Sequence, residues 1–67
     1  MTIIDTRGLS CPQPVLLVRK AIEAGQKPLQ VLTDSATARD NVRRLAERLG
    51  LSVTITEAND EFTMTLE

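Results

Sequence analysis

The sequence predicts an α/β fold: a two-layer sandwich in the order β-α-β-α-β-β, with a mixed four-stranded sheet and two helices on one face. Three observations predict it. Two segments carry apolar residues at three- and four-residue steps, and each is closed by a glycine. A short run rich in β-branched residues precedes each of them. The chain then finishes in two alternating apolar/polar runs joined by a polar turn.

Each element follows from its own residues. Thr2 to Thr6 reads as the first strand, and Arg7-Gly8 supplies the turn ahead of Leu9, with Gly8 there for backbone freedom. From Pro14 to Ala24, Val15, Val18, Ala21 and Ile22 recur at the spacing of a helix with one buried stripe, and Gly25 stands where the C-terminal cap belongs. Leu29 to Thr33 is too short and too β-branched for a helix and reads as the second strand, ended by Asp34. Ser35 is an N-cap, behind which Ala38, Val42, Leu45, Ala46 and Leu49 form an apolar face. Arg39, Asp40, Arg43, Arg44, Glu47 and Arg48 take the solvent side, with Asp40 and Arg44 a favourable i,i+4 pair. Gly50 is the expected left-handed cap, after which Leu51, Val53 and Ile55 alternate with Ser52, Thr54 and Thr56 as a half-buried strand. Ala58-Asn59-Asp60 supplies turn chemistry, and Phe62, Met64 and Leu66 form the apolar face of a hairpin partner. Right-handed crossovers place both helices on one face of the sheet and leave the Thr-rich face toward water.

Composition narrows the function. The 67 residues are read as one domain, 1–67, and a chain of this size buries only about 60% of the surface it exposes when unfolded, so its stability margin is thin. Its hydrophobic fraction of 42% is almost wholly Leu, Val, Ile and Ala, which makes the core aliphatic. A net charge of −1 argues against direct nucleic-acid binding, which requires a basic excess. With one Cys and no His, a Cys/His zinc site, a Cys-His pair and a Ser-His-Asp triad are all excluded within one chain. No basic n-region with an apolar stretch behind it occurs, and no run approaches the roughly 20 apolar residues of a membrane span, so no membrane association is expected. One unpaired thiol fits a reducing compartment, and the expected location is cytoplasmic.

That thiol, Cys11, is the residue that points to chemistry. It stands in Ser10-Cys11-Pro12-Gln13-Pro14, where a chain turns into a helix and the free N–H groups and the helix dipole both favour thiolate. With Cys11 as the N-cap, Pro12 falls at the first helical position and Pro14 at the third, where a missing N–H costs little. The prolines thereby leave the Gln13 and Val15 amides as the nearest donors to the sulfur. Pro14 also biases Gln13 away from helical geometry, so that either the first turn is irregular or the regular helix begins only at Pro14. A dipole contribution of about 0.3–1 kcal/mol lowers the thiol pKa by less than one unit. Such modest activation suits a carrier that takes up sulfur and gives it back, because nucleophilicity falls together with pKa.

The segment Asp5-Thr6-Arg7-Gly8-Leu9-Ser10-Cys11-Pro12-Gln13-Pro14 resembles the signature of the TusA/SirA-type sulfur carrier proteins, whose core is Cys-Pro-x-Pro. The resemblance continues along Val15-Leu16-Leu17-Val18-Arg19-Lys20 and through Asp34 to Asp40, and its second half, from Arg39 to Ala46, is closest to YedF-type members. It implies the same β-α-β-α-β-β sandwich. It further implies that Cys11 accepts persulfide sulfur from a cysteine desulfurase or a rhodanese-like donor and relays it to a downstream acceptor protein, with no metal or organic cofactor. Gly8, Pro12, Gln13 and Pro14 match the motif that positions the cysteine, and Arg19 and Asp34 match the partner-binding face. YedF-type relatives are often fused to a DsrE-like domain and associated with selenium metabolism. Two other readings stay open. One is a noncatalytic interaction module, or selenium-metabolism accessory domain, in which Arg39, Arg43 and Arg44 dock a partner and Cys11 carries no sulfur. The other is a thiol redox sensor, disfavoured by the lack of a resolving cysteine.

Overall fold

The computed structural model describes residues 2–9 and 13–67. The elements follow the expected order: β1 (Thr2–Asp5), α1 (Gln13–Glu23), β2 (Leu29–Thr33), α2 (Ala36–Arg48), β3 (Val53–Ala58) and β4 (Glu61–Leu66). The strands form one mixed sheet in the spatial order β1-β2-β4-β3. β1 runs parallel to β2, with Thr2 opposite Leu29 and Asp5 opposite Leu32, whereas β4 is antiparallel to both of its neighbours. The final strand is therefore the inner partner of the hairpin, and β3 is left at an edge.

Helix boundaries are set by local hydrogen bonds. Ser35 adopts an extended conformation (φ −134°, ψ 133°), and its hydroxyl accepts from the Ala38 N–H at 3.2 Å, capping α2 as expected. At the other end Leu51 N–H donates to Ala46 O and Gly50 N–H to Glu47 O, at 2.9 and 3.1 Å. This is a Schellman motif, and it requires the left-handed backbone that Gly50 supplies at φ +84°. α1 closes in the same way, with Gln26 N–H to Ala21 O and Gly25 N–H to Ile22 O. The β3–β4 turn consists of Asn59 and Asp60 at φ 54° and 62°, both left-handed as a two-residue type I′ hairpin demands.

The core lies between the helices and one face of the sheet. Val18 and Ala21 of α1 and Val42, Leu45 and Ala46 of α2 pack with Leu29, Val31, Met64 and Leu66, and Leu51 joins them beyond the α2 cap. The two buried threonines are satisfied: Thr6 Oγ1 donates to Leu32 O at 2.7 Å, and Thr33 Oγ1 accepts from Ser35 N–H. No buried side-chain polar atom lacks a partner among the described residues.

Several expectations are corrected. β1 ends at Asp5, although Thr6 N–H still donates to Leu32 O at 2.8 Å. α1 begins at Gln13 and not at Pro14, so the bias a proline imposes on its predecessor is overridden here. Leu49, counted in the α2 apolar face, is 48% exposed because it is the C-cap, where the helical rotation has already ended. Ile55, in the middle of the edge strand, is 37% exposed, so β3 is less buried than its alternation implies. Arg39 is not simply solvated. Its guanidinium lies 4.7 Å from the centroid of the Phe62 ring, and it takes Asp40 as its ion-pair partner at 3.0 Å. Asp40 also reaches Arg43 at 3.9 Å, so it is Arg39 and Arg43, not Arg44, that pair with it. The expected N-cap role of Cys11 and first-turn place of Pro12 concern residues outside the described ones.

Replacing fully buried Met64 by Ala is expected to cost about 2–5 kcal/mol, since it deletes packing at the centre of the sheet. Ile3→Ala, at a residue 60% exposed, is expected to stay within about 0.5 kcal/mol of the parent. Urea unfolding of the two variants checks the contrast.

Candidate functional site

Parallel pairing of β1 and β2 makes the two strands end at the same edge of the fold. The loops that follow them therefore emerge side by side: Thr6 to Leu9 runs toward the Cys11 segment, and Asp34-Ser35 leads into α2. β4 runs the opposite way, which brings its first residue, Glu61, to this same end.

The motif loop is held at three places. Thr6 binds Leu32 O through both its N–H and its hydroxyl, as described above. Gly8 adopts φ +80°, which an L side chain rarely tolerates, and its N–H donates to Asp34 Oδ2 at 2.9 Å. Between them Arg7 grips Asp5 with a two-pronged contact, Nε to Oδ1 at 2.9 Å and Nη2 to Oδ2 at 2.8 Å, while its backbone N–H donates to Asp5 Oδ1 at 3.0 Å. Arg7 Nη1 also reaches Glu61 Oε1 at 3.3 Å, tying the loop to the hairpin. Fork geometry of this kind gives the contact direction as well as attraction, although exposed pairs contribute little to overall stability.

The electrostatic consequence falls on Asp5. Hydrogen bonds from the Arg7 side chain, and then from the Arg7 N–H, hold its carboxyl down at about 2 against the ordinary 3.8. The same contacts, with Glu61 second, raise the Arg7 guanidinium above its usual range. On α2 the hydrogen bond from Arg39 lowers Asp40.

Of the sequence-predicted site residues, the structure brings Gly8 and Asp34 into direct contact. Gln13 and Arg19 lie on α1, where together with Leu16, Leu17, Lys20 and Glu23 they line a shallow concavity of about 400 Å³. Arg19 is exposed and pairs with Glu23 one turn on, at 3.3 Å. The Pro14 ring is fully buried and so belongs to the packing of α1. Cys11 and Pro12 lie outside the described residues.

Sequence reasoning passed over Leu16 and Leu17, which are 52% and 37% exposed. They fall off the buried stripe of Val15, Val18, Ala21 and Ile22, so their position alone marks them as surface leucines. It also passed over a separation of charge. The two helices carry six basic and three acidic side chains, and the remaining residues carry two basic and six acidic ones. A net charge of −1 thus divides into +3 on the helices and −4 elsewhere.

The Asp5–Arg7 contact carries a pH signature. Because the folded-state value of Asp5 is depressed, whatever it contributes to stability is present above about 3.8 and is lost as pH falls through about 2. The Asp5 carboxyl carbon, followed by NMR, is expected to titrate near 2 in the parent and close to the ordinary value in Arg7→Ala.

The fold and the motif loop have counterparts among known proteins. A crystal structure of a SirA-like protein from Desulfitobacterium hafniense superposes with a TM-score of 0.88, covering 98% of this chain and 95% of that one at 28% identity. The family model for sulfurtransferase TusA matches residues 2–67. The match spans the clamped loop, both helices and the terminal hairpin, and the chain therefore belongs to the TusA family of sulfur carriers and sulfurtransferases.

Proposed function

We propose that this protein is a persulfide relay in which Cys11 carries the sulfur. One observation supports this above the others: in a chain that belongs to the TusA family, the only cysteine follows the loop clamped by Asp5, Asp34 and Glu61 and stands two residues ahead of α1 in the sequence.

The chemistry needs one nucleophile and no external oxidant. The Cys11 thiolate attacks the terminal sulfur of a persulfide on the donor, a cysteine desulfurase or a rhodanese-like protein. A new S–S bond forms at Sγ, the donor's S–S bond breaks, and the donor leaves as a thiolate. The terminal sulfur on Cys11 is then attacked in the same way by a thiolate of an acceptor protein, and Cys11 returns to its starting state. Such a relay operates where thiols are kept reduced, which is the cytoplasm.

Both partners must bring a sulfur atom to the start of α1, so the surface beside it takes part in docking. Leu16 and Leu17 supply apolar contact area there, Arg19 and Lys20 flank them, and the helix layer is positive as a whole. Gln13 opens α1 as an exposed residue, and Gly8 and Pro14 hold the chain on either side of the cysteine segment from the loop and from the core. The competing module reading draws on Arg39, Arg43 and Arg44. Two of these are engaged with Asp40, and Arg39 is also stacked on Phe62, which leaves less of that stripe available for docking.

Incubation of the reduced protein with a cysteine desulfurase and cysteine is expected to add one or more sulfur atoms to the intact mass, reversibly with reductant. Cys11→Ser is expected to abolish the gain while keeping the parent's circular dichroism and urea midpoint. Loading that persists in Cys11→Ser would refute the assignment.

A further inference from the structure

We infer that Asp34 is a positioning residue that acts on Cys11 through the Gly8 amide, and not a charge presented to a partner. The inference rests on the reading of Cys11 as the sulfur carrier, and it changes the role that family resemblance implies for Asp34.

Three observations carry it. First, the Asp34 carboxylate already has a partner inside the fold: Oδ2 accepts the Gly8 N–H at 2.9 Å, across 26 residues of sequence. Second, it is not spent on capping α2, because Ser35 Oγ takes the Ala38 N–H and fills the N-cap. Third, it has no cationic partner among the described residues, so its role there is that of a directed acceptor. Gly8 is where such an acceptor matters. It sits at φ +80°, and among the described residues no heavy atom beyond its chain neighbours comes within 4 Å of where a Cβ would stand, so none of them wedges its backbone in place. Upstream the chain is anchored by buried Thr6, and downstream by buried Pro14. On the Cys11 side of the Arg7 clamp, Leu9 N–H closes the loop on itself at Thr6 O, 3.2 Å away, whereas the Gly8–Asp34 bond is the contact among the described residues that ties this part of the loop to another segment of the fold. Loss of that bond frees the turn at Gly8 from the β2–α2 segment, and with it the chain that leads to the thiolate.

Asp34→Asn separates positioning from charge, because the amide retains an oxygen that can accept from Gly8 while losing the negative charge. Asp34 is exposed, so both this variant and Asp34→Ala are expected to fold, which a urea midpoint checks. Two readouts that need no partner protein are then compared in the full chain. In Asp34→Ala the Gly8 amide proton is expected to exchange about tenfold faster, as loss of a charge-assisted hydrogen bond implies. The pH–rate profile for alkylation of Cys11 by iodoacetamide is expected to move its midpoint upward, as the thiolate loses its fixed donors. Asp34→Asn is expected to restore both toward the parent. Equal displacement of the alkylation profile in both variants would show that the charge acts, and would overturn the inference. So would an unmoved profile beside fast Gly8 exchange, or an unmoved Gly8 amide in Asp34→Ala. Desulfurase loading of the parent decides the underlying reading separately: a chain that takes no sulfur yet shows the Asp34-dependent profile fails as a carrier while retaining the tether.

Discussion

Parallel pairing of β1 with β2 is the constraint on which the rest of the structure depends. Placing Thr2 opposite Leu29 and Asp5 opposite Leu32 makes both strands end together, and the two helices then start from the same end of the sheet. The long-range contacts of the motif loop follow from that register. Leu32 O lies within reach of Thr6, Asp34 within reach of Gly8, and antiparallel β4 delivers Glu61 to Arg7. A slip of one residue would turn each side chain of β1 to the opposite face and break the set at once. The motif loop thus owes its shape to sheet geometry, with little help from a large core.

Thin stability and a well-held loop are compatible because the two are supplied by different interactions. Burial of Val18, Val42, Met64 and their neighbours holds helices to sheet, a nondirectional contribution that scales with apolar area. The loop is held by directed hydrogen bonds at the surface, each small in energy but specific in geometry. Surface bonds of this kind leave room for a partner to approach. The charge division adds orientation: a molecule with +3 on its helices and −4 elsewhere presents different potentials to an approaching protein on its two sides.

Much of the fold is legible in local sequence. Ser35, Gly25 and Gly50 mark helix ends through short-range hydrogen bonds that a few residues suffice to define, and Asn59-Asp60 marks the hairpin turn for the same reason. The exposure of Leu49 and Ile55 was not legible, because it depends on where a helix stops turning and on which strand lies at the edge. Nor was the stacking of Arg39 on Phe62, which joins α2 to the start of β4 across 23 positions. The site divides along the same line. Cys11 and its prolines stand out within five residues, whereas the Gly8–Asp34 bond and the Arg7–Glu61 pair join positions brought together only by the sheet. Asp34 could be singled out by family likeness, but its acceptor role depends on a register that no local pattern encodes.

The central claim, that Cys11 holds transferable sulfur, is tested most directly by locating that sulfur and removing it chemically. After desulfurase treatment with isotopically labelled cysteine, tryptic cleavage at Arg7 and Arg19 isolates residues 8–19, the peptide that contains Cys11. The account predicts all added sulfur in that peptide, and its quantitative release as thiocyanate on treatment with cold cyanide, which attacks the terminal sulfur and leaves the thiolate. Label outside residues 8–19, or label within them that resists cyanide, would contradict it.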